Sequence, residues 1–333
     1  MPVLSVQTPR AQVSLHSERL TVLQPGDGAA DLKSEVPLGE LERVVFAEGV
    51  LVSAPAICEL LRRQIPVTFL EWNGRLLGSF EPPGPSRGAS RMLQYQLVSA
   101  PAGNLTIATK LVQAKISNGR RLLQRLDSNH HRLETGALDA LEARERDAAK
   151  PADVPSLLGT EGAAAALFYQ CWSRFLPTEF PFGHRSTRPP ANPVNACISY
   201  IGALVYGELL TACVVRGLDP ALGCLHQPED GRWSLPLDLM EPFRPALVEA
   251  LTLRLFSHRI LQQRHFEAHQ GGVWLNREGR RTLIQHYEQR MQREFLSEQA
   301  GCRTTLRQQL QNTAVQFKLA LAQPENYVPF RVN

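Results

Sequence analysis

The sequence predicts an α+β protein: a small β-rich N-terminal domain followed by a larger all-α helical domain. Three observations carry this expectation. Up to about residue 80, short β-branched or alternating runs dominate. Residues 81–90, EPPGPSRGAS, are rich in proline, glycine and serine and read as a linker. Beyond it, from 91 to 333, apolar residues recur at helical spacing almost to the C-terminus.

The N-terminal elements follow in order. AQVSLH and ERLTVLQ are two strands separated by a turn at Ser17. VPLGELERVVFAEGVLV holds two more short strands. Ser53 is placed to cap a helix over SAPAICELLRRQ, where Ile57, Leu60 and Leu61 share a face. IPVTFLEW and RLLGSF flank Asn73-Gly74, a strong hairpin signal. No glycine-rich phosphate loop occurs here.

The helical part opens with NLTIATKLVQAKISNGRRLLQRL. Leu105, Ala108, Leu111, Val112, Ala114 and Ile116 form its apolar side; Lys110, Lys115, Arg120, Arg121 and Arg125 its polar side. ETGALDALEARERDAAK reads as a charged, solvent-facing helix. PSLLGTEGAAAALFYQCWSRF and the long apolar PVNACISYIGALVYGELLTACVV follow, the latter as a core helix. MEPFRPALVEALTLRLFSHRIL, NREGRRTLIQHYEQRMQREF and TTLRQQLQNTAVQFKLAL complete the set.

Bulk properties bound the function. At about 150 residues per domain, the 333 residues suggest about two domains. A hydrophobic share of 43% supplies real cores, and no uninterrupted apolar run reads as a membrane span. The first residues show no signal peptide. Six scattered cysteines without a CxxC pair read as reduced thiols of a cytoplasmic protein. Cys213 and Cys224 near His226 fit no standard zinc spacing. A net charge of +4 is only mildly basic, so the placement of charge matters more than its sum.

One residue stands out chemically. Glu161 lies among Leu157, Leu158, Ala163 to Ala166, Leu167 and Phe168. An unpaired carboxylate buried in such a helix costs several kcal/mol. Two readings stand open: a charge projecting to solvent near the helix start, or a charge partnered by a divalent metal ion that also needs His226 and Glu241. Downstream, His226 is followed by Asp238 and Glu241. The spacing of three puts both carboxylates on one helical face, and Gly231 permits a reversal toward His226. A Glu-His-Glu set suits manganese and tolerates magnesium, and leaves open positions for phosphate oxygen and water. His184, Arg185, Arg188 and Arg244, with Arg254, Arg259 and Arg264, supply positive charge for a polyanion. Each arginine alone reads as a solvated side chain.

LLGTEGAAAALFYQCW, RPPANPVNACISYIGALVYGELL and LHQPEDGRWSLPLDLMEPFRP, in this order, resemble the core adaptation nuclease-integrase of CRISPR systems, the first CRISPR-associated protein family. VWLNREGRRTLIQHYEQRM and QFKLALAQPENYVPF extend the resemblance over most of the chain. It implies an N-terminal β-domain (1–80) that mediates homodimerisation and a helical domain that holds the metal, Mn2+ or Mg2+. It implies Glu161, His226 and Glu241 as metal ligands, with Asp238 as a further acidic residue of the catalytic set. Many members carry aspartate where this chain has Glu241. Arg188 and Asn195 match residues preceding the central helix in the family, and Tyr206 a tyrosine near bound DNA; Arg185 and Arg244 join them as candidate DNA contacts. The implied partners are double-stranded DNA and a small ferredoxin-like adaptation protein, two dimers of this chain being bridged by one partner dimer in a heterohexamer. The implied reaction is metal-dependent endonuclease and integrase chemistry, joining 3′-hydroxyl ends of short duplexes to the repeat. A catalytically silent DNA-binding scaffold is the alternative. A hydrolase for small phosphoesters is disfavoured by the lack of a phosphate loop.

Overall fold

Alternation of apolar and polar residues in the N-terminal segment resolves into two four-stranded sheets. The structure, a computed structural model, describes residues 3–25, 32–80, 88–298 and 300–332. It divides into two compact units, Met1–Pro85 and Ser86–Asn333. The first contains β1 (Val3–Val6), β2 (Gln12–His16), β3 (Arg19–Gln24), β4 (Leu32–Pro37), β5 (Arg43–Ala47), β6 (Leu51–Val52), α1 (Ala54–Arg62), β7 (Val67–Leu70) and β8 (Leu76–Phe80). One sheet runs β1-β5-β7-β8, its first three strands parallel; the other runs β4-β3-β2-β6. Val13, Leu20, Val22, Val44, Phe46, Leu60 and Val67 fill the core of this unit. Each such side chain contributes about 1.5–3 kcal/mol through burial.

Local chemistry sets the turns. Ser17 adopts a left-handed φ of 52° between β2 and β3. Ser53 Oγ accepts from the Ala56 N–H at 3.4 Å and caps α1. Between β7 and β8, Asn73 Oδ1 accepts from the Arg75 N–H at 2.8 Å, while Gly74 takes a φ of +84° that favours glycine. Strand β1 has only four residues and no clear alternation, and becomes visible only through its parallel pairing with β5.

The second unit comprises α2 (Gly88–Ser99), α3 (Pro101–His130), α4 (Ala137–Asp147), α5 (Val154–Ser173), α6 (Pro193–Val215) and α7 (Ser234–Met240). A π-helical turn, Arg244–Glu249, leads into α8 (Ala250–Ser257). Then come β9 (Phe266–His269), β10 (Gly272–Leu275), α9 (Arg277–Gln292), β11 (Glu294–Ser297), β12 (Cys302–Thr305) and α10 (Leu306–Leu319). Most of the expected linker, 81–87, lies outside the described residues, and 88–90 already open α2.

The fold class holds, with one difference in detail. The helical part is not purely α: β9–β10 and β11–β12 are antiparallel hairpins within it. At β9–β10, Gln270 and Gly271 both have positive φ, the turn that matches strand twist in a two-residue loop. Four-residue strands leave too little periodicity to see in the sequence.

Helix α6 is apolar enough, at a mean hydropathy of 1.7 over a membrane-length window, to span a bilayer by composition and length. Here it is a core helix, packed against α7, α10 and β10. Its Glu208 is buried and pairs with Arg307 of α10 at 3.2 Å, and Tyr287 of α9 donates to it at 2.8 Å. Helix α4, expected to face solvent, buries Leu141 and packs against α3 and α5.

Candidate active site

Two packed helices bring the misfit glutamate to its partners. Helix α3 turns a stripe of Ile107, Ala108, Leu111, Val112, Ala114 and Ile116 into the core, and Lys115 flanks that stripe. Helix α5 starts with a capping box: Asp153 accepts from the Ser156 N–H at 2.8 Å, and Ser156 accepts from the Asp153 N–H at 3.2 Å. The helices approach closely where Gly119 meets Phe168; a Cβ there would lie 3.1 Å from the ring. Across this contact the Lys115 ammonium donates to both Glu161 and Glu241. Asn118, buried one turn along α3, fixes the register by donating to the Pro242 carbonyl at 2.7 Å.

The second half of the site hangs on Asp238, which is 0% exposed. Its Oδ2 accepts from the backbone N–H groups of Cys224 and Leu225, the latter at 2.8 Å. Its Oδ1 accepts from the His226 N–H at 2.8 Å and pairs with His226 Nδ1 at 2.7 Å. A carboxylate partner makes Nδ1 the donor, so Nε2 retains its lone pair for a ligand. Burial pulls the His226 pKa down, but Asp238 and then Glu241 outweigh it, and the net direction is upward.

Asp238, expected among the catalytic residues, is saturated by four donors and touches no solvent. Gly223 makes this loop possible. A Cβ at Gly223 would come within 2.8 Å of both Asp238 Oδ2 and the His226 carbonyl. Gly223→Ala is expected to lower stability by about 1–3 kcal/mol through overpacking, read as a fall in the thermal midpoint.

Glu241 closes the arrangement. It is 4% exposed, and burial alone would raise its carboxyl. Arg244, Lys115 and His226 overcome that and hold it down to about 2. Arg244 Nε donates to Glu241 Oε1 at 2.8 Å. The local backbone explains the approach. Pro245 has no N–H for the Glu241 carbonyl, which accepts instead from Arg244 N at 3.3 Å, and the helix widens into the π-turn. At the far end of that turn Glu249 accepts from the Tyr169 hydroxyl at 2.7 Å. Burial pushes the pKa of both Tyr169 and Glu249 up.

The expected DNA contacts divide. Arg188 is exposed on the loop before α6. Asn195, expected at DNA, is instead 0% exposed: it accepts from the Ser186 N–H at 2.9 Å and Arg185 Nη1 at 3.0 Å, and donates to the His184 carbonyl at 3.0 Å. These bonds shape the loop before α6. Arg185 also donates to Ser199 Oγ at 3.0 Å, and Arg244 is engaged with Glu241. Half-buried Tyr206 takes a hydrogen bond from the Trp233 backbone, ahead of α7, and burial pushes its pKa up to about 12. Lys115, Tyr169 and Glu249 were missed as site residues; a lysine on the polar side of an amphipathic helix carries no special mark.

Among the described residues no three His, Cys, Asp or Glu side chains form a ready-made metal cage. Buried Cys213 and Cys224 have thiol pKa values raised by burial, which disfavours the thiolates that zinc requires. The donors Glu161, Glu241 and His226 Nε2 do suit a hard or borderline divalent ion. Both carboxylates already share one cation, the Lys115 ammonium, so the pair is spaced to share another once that ammonium withdraws.

A strand-rich unit is followed by a helical unit in which Glu161 and Glu241 share one ammonium and Asp238 holds His226. The family model of CRISPR associated protein Cas1 matches residues 4–289. The chain belongs to the Cas1 family. A CRISPR-associated endonuclease Cas1 of Thermus thermophilus is 34% identical over 96% of this chain and 96% of its own. The chain spans about half the length, 53%, of curated relatives from Rhodospirillum rubrum and Geobacter sulfurreducens that are Cas4/Cas1 fusions. A casposase solved bound to an integration product shares the fold, with a TM-score of 0.86 at 20% identity, covering 100% of this chain and 96% of that one. So does a Cas6-RT-Cas1–Cas2 complex, with a TM-score of 0.80 at 24% identity, covering 100% of this chain and 36% of that one.

Proposed function

We propose that this chain is a metal-dependent DNA endonuclease and integrase of CRISPR adaptation, joining the 3′-hydroxyl ends of short duplex DNA to the CRISPR repeat. The observation that carries the reading is the meeting of Glu161 and Glu241 on one cation, with Asp238-locked His226 close enough to Glu241 to affect its charge. Glu161, Glu241 and His226 Nε2 would hold Mn2+ or Mg2+. Such an ion polarises a phosphodiester and offsets the charge that builds in phosphoryl transfer. Asp238 keeps the imidazole oriented, and Arg244 keeps the Glu241 carboxylate aimed. In strand joining, the 3′-oxygen of the incoming strand forms a new P–O bond as the P–O3′ bond of the repeat breaks, leaving a 3′-hydroxyl. Hydrolysis is the same displacement with water.

The other parts of the reading follow from the family. The N-terminal unit pairs two copies; Leu51, Leu77 and Phe80 are exposed there, apolar surface that a second copy would cover. A small ferredoxin-like partner dimer bridges two such dimers in a cytoplasmic heterohexamer on double-stranded DNA. A second reading has one observation in its favour. Lys115 satisfies both carboxylates without any ion, as a catalytically silent DNA-binding scaffold would require.

A supercoiled plasmid carrying a repeat, incubated with short duplexes, separates the two. The enzyme yields joined and relaxed products with Mn2+ and none with chelator. Salt-dependent binding without any metal-dependent product would establish the scaffold.

A further inference from the structure

Lys115 stands at the centre of the proposed site, yet the proposed reaction gives it nothing to do. Its side chain is 18% exposed and bridges the two glutamates. Beside the bridge lies a cavity of about 30 Å³, lined by Lys115, Glu161, Phe168, Tyr169, Arg244 and Glu249. Glu249 presents an anomaly. It is 1% exposed, and its Oε1 holds the Tyr169 hydroxyl, but its Oε2 has no hydrogen-bond donor among the described residues. Leaving a buried acceptor unsatisfied is unfavourable, more so for a charged group. Lys115 and Glu249 line the same cavity, one with a flexible side chain and the other with an unmatched carboxylate oxygen. Lysine suits the role: a compact charge with three donors on a four-carbon stem.

We propose that Lys115 is a displaceable internal cation with two berths, the Glu161–Glu241 pair in the metal-free protein and Glu249 Oε2 across the cavity once a divalent ion has taken that pair. This deepens the metal-dependent reading and rests on it. In the first berth Lys115 keeps two glutamates from repelling each other and holds the ligands assembled. It also competes with the ion, so that the metal binds more weakly than its ligand set alone would allow. In the second berth the ammonium satisfies the orphaned oxygen, which offsets part of the cost of leaving. The Lys115 charge already acts on Glu249 through space.

The test is Mn2+ binding to the full chain without DNA, followed by the electron paramagnetic resonance signal of free Mn2+. Lys115→Met removes the competitor and is expected to tighten binding at least tenfold. Glu249→Gln removes the charge of the second berth and is expected to weaken binding several-fold, but only while Lys115 is present. In the Lys115→Met background the same change is expected to have no effect. Lys115→Gln replaces Lys115→Met if circular dichroism finds the methionine variant unfolded. Wild-type binding that Lys115→Met leaves unchanged or weaker overturns the proposal and spares the metal site. An equal effect of Glu249→Gln in both backgrounds overturns the second berth. Absence of Mn2+ binding in wild type and Lys115→Met alike overturns the metal reading and this one with it.

Discussion

Glu161→Gln is expected to lower metal-dependent strand joining by about 10²–10³-fold, the loss typical of removing one preorganised electrostatic group from an active site. The amide keeps the shape of the side chain and removes the charge. Lys115 retains Glu241 as a partner, and α3 and α5 keep their packing where Gly119 meets Phe168. DNA affinity is expected to hold or rise slightly, since the change removes a negative charge that a bound polyanion would meet. Product on denaturing gels and duplex binding by fluorescence anisotropy read the two effects separately. Joining at the wild-type rate would remove Glu161 from the chemistry.

That prediction starts from a residue legible in the sequence. A carboxylate among leucines and alanines announces that it has a partner somewhere, whatever the partner is. The spacing of Asp238 and Glu241 and the turn at Gly231 were likewise readable as a cluster with His226. Spacing alone could not separate the two carboxylates' roles, which only the family resemblance told apart. Asp238 and Glu241 look alike in the sequence, yet one is walled in by backbone donors and the other faces Lys115. The partner itself was also hidden. Lys110 and Lys115 occupy the same polar side of α3, but Lys110 donates to the backbone carbonyl of Tyr327 at 2.9 Å, near the C-terminus, while Lys115 meets the glutamates. Only the crossing of α3 and α5 distinguishes them. Asn195, implied by the resemblance, satisfies the buried backbone of a loop with its amide, a role the sequence does not mark.

Asp238→Ala is expected to cost about 3–5 kcal/mol, the range for removing one partner from a buried charged network. The backbone N–H groups of Cys224, Leu225 and His226 would all lose their acceptor, and His226 Nδ1 its anchor. Each buried donor left unmade adds its own desolvation cost. Asp238→Asn does not rescue the network fully, because an amide offers one acceptor oxygen and turns its NH2 toward groups that are themselves donors. For a unit of this size the alanine change translates to a fall of about 6–20 °C in the thermal midpoint. Glu161→Gln, in contrast, is expected to move that midpoint little. The two variants thus separate positioning from ligation. Asp238→Ala loses activity together with stability, and its loss of stability is the same with and without Mn2+. If it instead kept the wild-type midpoint and lost only Mn2+ affinity, Asp238 would have to be counted among the metal's own ligands, and the buried network around it would contribute far less than its four donors imply.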